Sequence, residues 1–251
     1  MLTGKNGLVL GVANERSIAY AIVKKLSESG CNIVASCLNQ KAFDSVLPSI
    51  RSTSAKLKIC NLQNPGELET LVAESIKALG SFDFLVHSVA FAPAKDLHGS
   101  VTESSKEGFL QAMDISCHSF ARAAQLVTPH MPRGGSLITM SYLGADEVVP
   151  HYGLMGPVKA ALESCVRYMA SELGEMNIRV HAVSPGPILT RAASGIEHFD
   201  DLMQRAIEKS PLKRLVTQDE VADLTAFLCS DQSSGMTGQT IYIDAGYHAV
   251  D

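Results

Sequence analysis

The 251-residue chain predicts an α/β fold: a doubly wound parallel sheet of seven strands with helices on both faces. Three observations carry this. Short β-rich runs alternate with amphipathic helical patterns along the chain. Several runs, such as Leu8-Val9-Leu10 and Phe84-Leu85-Val86, are apolar almost throughout, as strands covered on both faces must be. No linker, repeat or low-complexity stretch interrupts the alternation, so residues 1–251 read as one domain.

The strands are expected at Gly7 to Leu10, Asn32 to Ser36, Lys56 to Asn61, Phe84 to Ser88, Ser136 to Ser141, Ile178 to Ser184 and Thr240 to Ile243. After the first, Ser17 to Ser29 places Ile18, Ala21, Ile22 and Leu26 at helical spacing, with Gly30 as a stop signal. Near the C-terminus, Thr217-Gln218-Asp219-Glu220 reads as a capping box opening a helix from Val221 to Cys229, because the threonine hydroxyl and the glutamate carboxylate can satisfy each other's orphan amides.

Hydrophobic residues make up 46% of the chain and charged residues 19%, the balance of a globular protein without a membrane span. The N-terminus shows no basic region followed by an apolar signal core, which points to the cytoplasm. Six scattered cysteines with no CxxC pair suit buried thiols better than a metal site. A net charge of −5 with no Lys/Arg cluster argues against nucleic acid or an anionic membrane as partner.

Tyr152 and Lys159 stand seven residues apart. Seven helical steps of ~100° fall within ~20° of two turns, so on a helix the phenol and the ammonium would share one face about 10 Å apart. Pro157 lies between them, where a helix interior would lose a donor and clash with the Gly153 carbonyl. Tyr142 sits ten residues before Tyr152 at the end of an expected strand, which would deliver it to the same sheet edge.

Three turns complete the candidate site. Gly11-Val12-Ala13-Asn14-Glu15-Arg16-Ser17-Ile18 follows the first strand; one glycine allows close approach of a pyrophosphate, and the helix start at Ser17 offers amides and a positive dipole end. His87-Ser88-Val89-Ala90-Phe91-Ala92-Pro93 leaves the fourth strand with small residues past which a flat ring can slide. Ser184-Pro185-Gly186-Pro187-Ile188-Leu189-Thr190 leaves the sixth, and Thr190 offers a hydroxyl to a carboxamide or phosphate. The second strand ends in Leu38-Asn39-Gln40-Lys41, with neither an acidic side chain for a ribose 2′-hydroxyl nor an arginine for a 2′-phosphate. One flexible lysine is a poor phosphate clamp, so NADH is favoured with NADPH not excluded.

Together with Asp114-Ile115-Ser116, Ser141-Tyr142-Leu143-Gly144-Ala145 and Ala192-Ala193-Ser194-Gly195-Ile196, these segments resemble the short-chain dehydrogenase/reductase superfamily. Within it, the chain resembles the enoyl-acyl carrier protein reductases, the divergent Tyr-x6-Lys branch. The resemblance spans essentially the whole chain and implies a Rossmann-like domain that reduces the 2,3 double bond of an enoyl thioester. It assigns Tyr152 to the thioester oxygen, Lys159 to the nicotinamide ribose and Tyr142 to the pocket. It also implies cofactor contacts from Gly11, Ala13, Ser17, Ile18, Leu38, Asn61, Leu62, Ser88, Val89, Ala90, Pro187, Ile188 and Thr190. Substrate contacts are implied for Ala92, Met155, Ala192 and Ile196, with a substrate loop at about residues 190–210, an acyl carrier protein as partner and a homotetramer as the assembly.

Most of the superfamily pairs Tyr-x3-Lys with a serine thirteen residues before the tyrosine. Here the lysine position holds Gly156 and the serine position Thr139. A ketoreductase must protonate one alkoxide oxygen directly, whereas an enoyl reductase stabilises charge developing on a thioester oxygen. The expectation follows that a cation near Tyr152 lowers its pKa. Asn61 and Ala90 depart from residues usual in the family. A reductase acting on a carbonyl or on a non-carrier enoyl substrate, and a catalytically silent nucleotide-binding scaffold, remain the other readings.

Overall fold

The computed structural model describes residues 2–190 and 199–250. All seven expected strands form: β1 (Asn6–Leu10), β2 (Asn32–Cys37), β3 (Lys56–Ile59), β4 (Phe84–His87), β5 (Gly135–Met140), β6 (Ile178–Pro185) and β7 (Gln239–Ile243). They make one sheet in the order β3-β2-β1-β4-β5-β6-β7, every pairing parallel. The order reverses between β1 and β4, and an open parallel sheet has its ligand crevice where the order reverses, beyond the carboxyl ends of the strands.

The helices are α1 (Ile18–Glu28), α2 (Gln40–Ile50), α3 (Glu67–Leu79), α4 (Ala94–His98), α5 (Lys106–Met113), α6 (Ser119–Val127), α7 (Met155–Leu173), α8 (Phe199–Lys209) and α9 (Gln218–Cys229). Two apolar clusters lie on opposite faces of the sheet because strand side chains alternate. Leu8, Leu85, Leu137 and Val180 meet Leu68, Phe120 and Leu162 from α3, α6 and α7. Val9, Val86, Ile138 and Val183 meet Ile22, Val46 and Val221 from α1, α2 and α9. The capping box on Thr217 and Glu220 closes in both directions at the start of α9.

Two expectations are corrected. Tyr152 is not on a helix with Lys159: α7 begins at Met155, after a turn in which His151 (φ 63°) and Gly153 (φ 44°) take left-handed backbone. Pro157 then falls in the first turn of α7, where an amide has no intrahelical partner to lose, and the Gly153 carbonyl instead accepts the Gly156 amide at 3.1 Å. Of the expected loop of residues 190–210, residues 191–198 lie outside the described residues and Phe199–Lys209 is helical, because Leu202 and Ala206, one turn apart, are buried there.

Candidate active site

The turn after β1 needs its glycine for the protein's own sake. Gly11 has φ +100°, and a Cβ there would stand 2.2 Å from the Ser88 carbonyl oxygen, so the exits of β1 and β4 can meet only without a side chain. The Gly11 and Val12 amides donate to the Ser36 carbonyl at 3.2 and 2.8 Å, tying in the end of β2. Ser17 caps α1: its hydroxyl accepts the Tyr20 amide at 3.2 Å and donates to the Asn14 carbonyl at 2.6 Å. Three strand ends and a helix N-terminus are thereby locked around one opening.

The loop after β4 is held by Ser116, whose hydroxyl accepts the Phe91 amide at 2.8 Å and donates to the Phe91 carbonyl at 2.9 Å. Ser116 lies in a wide π-type turn, Asp114–His118, between α5 and α6, a local widening that often marks functional sites. Behind the loop, the buried His87 ring spans Thr139 Oγ1 (3.0 Å) and Ser119 Oγ (2.7 Å). Ser119 spends its proton on the Ile115 carbonyl, which leaves its oxygen to accept from His87 Nε2. Burial and the Lys159 charge hold that imidazole neutral, its pKa lowered to about 3.

The tyrosines pack ring against ring, centroids 4.8 Å apart at 58°. Gly144 makes this possible, since a Cβ there would stand 2.4 Å from the Tyr152 ring. Lys159 is 4% exposed and donates to the Met140 carbonyl at 2.7 Å; burial lowers its pKa to about 8. The expected lowering of the Tyr152 pKa is reversed. Burial pushes that phenol well above its ordinary range, aided by Tyr142 and Glu163, so Tyr152 is a neutral donor. Burial likewise raises Tyr142, whose hydroxyl is buried without a partner among the described residues.

These residues line one cleft of about 430 Å³. Gly11, Ala13, Ser17 and Ile18 stand at one wall, Leu38, Asn61 and Leu62 at one end, and Ser88, Val89, Ala90 and Ala92 along the floor; Tyr142, Tyr152, Met155 and Lys159 form the other end, with Pro187, Ile188 and Thr190 beside them. Ala192 and Ile196 lie outside the described residues. The lining also includes Cys37, Cys60, Leu97 and Met140, which the motifs did not single out, and Ile115 and Ser141 from two of the quoted motifs. Cys37 adjoins a strand end already expected at the opening, so counting one residue along that strand would have found it. Leu97 reaches the cleft only through tertiary packing.

The enoyl-(acyl carrier protein) reductase family model matches residues 11–248. The chain belongs to the enoyl-acyl carrier protein reductase family. Within that family it is 43% identical to the NADH-dependent enzyme of Nostoc sp. over 250 residues, 98% of this chain and 97% of the relative. It is 39% identical to the NADPH-dependent enzyme of Staphylococcus aureus, covering 99% of this chain and 98% of that one. A solved enoyl-acyl carrier protein reductase of Bacillus cereus with NADP+ and indole naphthyridinone superposes with a TM-score of 0.96 at 36% identity, covering 100% of this chain and 98% of the other. One from Anaplasma phagocytophilum with NAD gives 0.95 at 40% identity, covering 100% and 96%. The family reductases thus share this seven-stranded architecture with either dinucleotide named.

Proposed function

We propose that the cleft reduces the 2,3 double bond of trans-2-enoyl thioesters carried on acyl carrier protein, in fatty-acid synthesis, with a nicotinamide dinucleotide as reductant. The observation that carries this reading is the paired phenols at one end of the cleft, one with a buried hydroxyl that has no partner among the described residues, beside a buried lysine. An unpaired buried hydroxyl costs about 1–3 kcal/mol, a cost that a bound ligand's oxygen removes. Thr139, at the position of the ketoreductase serine, is fully buried with its hydroxyl engaged by His87, which favours an enoyl over a ketone substrate.

The residues present fit a dinucleotide. The Gly11 turn and the start of α1 suit a pyrophosphate, and Lys159 has two ammonium donors besides the one given to Met140 for ribose hydroxyls. The dinucleotide, when bound, supplies the hydride that adds to the β-carbon of the enoyl thioester. Tyr152, kept neutral by burial, donates a hydrogen bond to the thioester oxygen as negative charge collects there. Tyr142 shapes the pocket against the Tyr152 ring and presents a second hydroxyl. Ala92 and Met155 form the acyl wall.

We place the enzyme in the cytoplasm as a homotetramer that receives its substrate from the carrier protein. Exposed Leu110 on α5 and Tyr168 on α7 support buried subunit contacts. Among the described residues, no helix is long and apolar enough to cross a membrane. The test offers an enoyl thioester and a 3-oxoacyl thioester, each with NADH and NADPH. Oxidation of cofactor only with the enoyl substrate is expected; oxidation only with the ketone refutes the reading. Tyr152→Phe should lower kcat by about 10²-fold while cofactor Kd stays within twofold.

A further inference from the structure

Buried carboxylates are expensive, and Glu163 is one. It lies one helical turn beyond Lys159 on α7 and is 4% exposed, as Lys159 itself is. Such a group persists only where donors and a counter-charge surround it. The Ser141 hydroxyl donates to Glu163 Oε1, and the Thr240 side chain on β7 also favours the charged carboxylate. Ser141 sits between Met140, whose carbonyl receives the Lys159 ammonium at 2.7 Å, and Tyr142, whose ring packs on Tyr152. One carboxylate therefore anchors the exit of β5 on which both groups depend.

We propose that Glu163 is a positioning residue of the reductase: it clamps Ser141 to α7 and is the negative charge that keeps the buried Lys159 protonated beside the cofactor. This rests on the reading of Lys159 as the ribose-binding cation. Two groups favour the charged form of Lys159: the Cys117–Cys165 thiol pair and Glu163, the one carboxylate among these neighbours in the described residues. From β4, His87 is neutral. From the π-type turn, the Cys117 thiol is pushed up by the Cys165 sulfur at 3.8 Å and by burial, while the same contact holds Cys165 low, so the pair shares one proton. Tyr142 and Tyr152 are raised phenols. Around Glu163 itself stand Asp146 after β5, Arg167 on α7 and Tyr242 on β7. Burial raises the Glu163 pKa while the Ser141 and Thr240 donors oppose that rise.

The two parts of the role separate experimentally. Glu163→Gln keeps a carbonyl to accept from Ser141 but removes the charge, so Lys159 should lose its proton at lower pH. The measurement is NADH Kd and kcat from pH 6 to 10 on the full enzyme, for wild type, Glu163→Gln, Glu163→Asp and Lys159→Met. Expected is an alkaline loss of affinity in wild type centred near about pH 8, moved down by about one pH unit in Glu163→Gln, restored toward wild type in Glu163→Asp and absent from Lys159→Met. A Glu163→Gln profile that coincides with wild type overturns the inference while leaving the Lys159 reading intact. A Lys159→Met enzyme that binds NADH as wild type does overturns the underlying reading instead.

Discussion

The two ends of the cleft are built on different terms. At the tyrosine end each group is held from behind: Tyr152 by the space Gly144 leaves, Lys159 by the Met140 carbonyl, the β5 exit by Glu163, and the rings by each other. At the other end Leu38 is 55% exposed and Asn61 uses its side-chain carbonyl to accept the Gln63 amide in a local turn. Chemistry demands fixed geometry only where charge develops. The recognition end can vary, which agrees with family members named for either NADH or NADPH.

The largest effect that can break this comparison lies at Lys159. Its folded pKa of about 8 stands below the ordinary 10.5 because of burial, so between those values the unfolded chain binds more protons than the folded one and stability rises with pH. Below about pH 8 both states are protonated, and the fold carries the cost of burying the charge. In the cofactor-free protein, the wild-type stability should gain up to about 3 kcal/mol relative to Lys159→Met across that window, measured by urea titration at pH 7.5 and 10. Cofactor affinity should fall over the same range, since the bound cation is lost. Stability and affinity rising together would refute the assignment of a strained, buried cation.

Gly144→Ala should act next most strongly. The new methyl would stand 2.4 Å from the Tyr152 ring, too close without moving it, and overpacking costs typically about 1–3 kcal/mol. Enoyl reduction should drop roughly ten- to a hundredfold through kcat, with NADH Kd nearly unchanged because the cofactor wall is untouched. An unaltered kcat would mean that the ring position is not what the chemistry requires.

The contrast also explains what the sequence disclosed. Strands such as Phe84–His87 were legible because both faces are covered, leaving apolar runs that no helix pattern imitates. The site residues at strand ends were legible because sheet topology carries every carboxyl end to one edge. The support behind them was not. Glu163, His87 and Gly144 act through space on partners 52 residues away (His87 with Thr139) or 22 (Glu163 with Ser141), and no local pattern encodes such pairs. The turn that lifts Tyr152 off α7 was hidden for another reason: His151 takes φ 63°, backbone that non-glycine residues rarely adopt, so Tyr152 and Lys159 looked like one helical face.

The smallest effect is expected at the permissive end. Lys41 is the second residue of α2 and exposed, and it does not line the cleft, whereas a 2′-phosphate would be gripped best by a planar, bidentate donor. A single exposed ammonium contributes little through screened solvent, about 0–1 kcal/mol. Lys41→Ala should therefore leave kcat/KM for NADH within about twofold and reduce that for NADPH by no more than about fivefold. A loss of NADPH activity beyond tenfold would make Lys41 a specific phosphate clamp and remove the contrast at its weaker side. Preserved ratios would locate cofactor choice in the backbone and in the Leu38 wall, the parts of this end that are fixed by the fold.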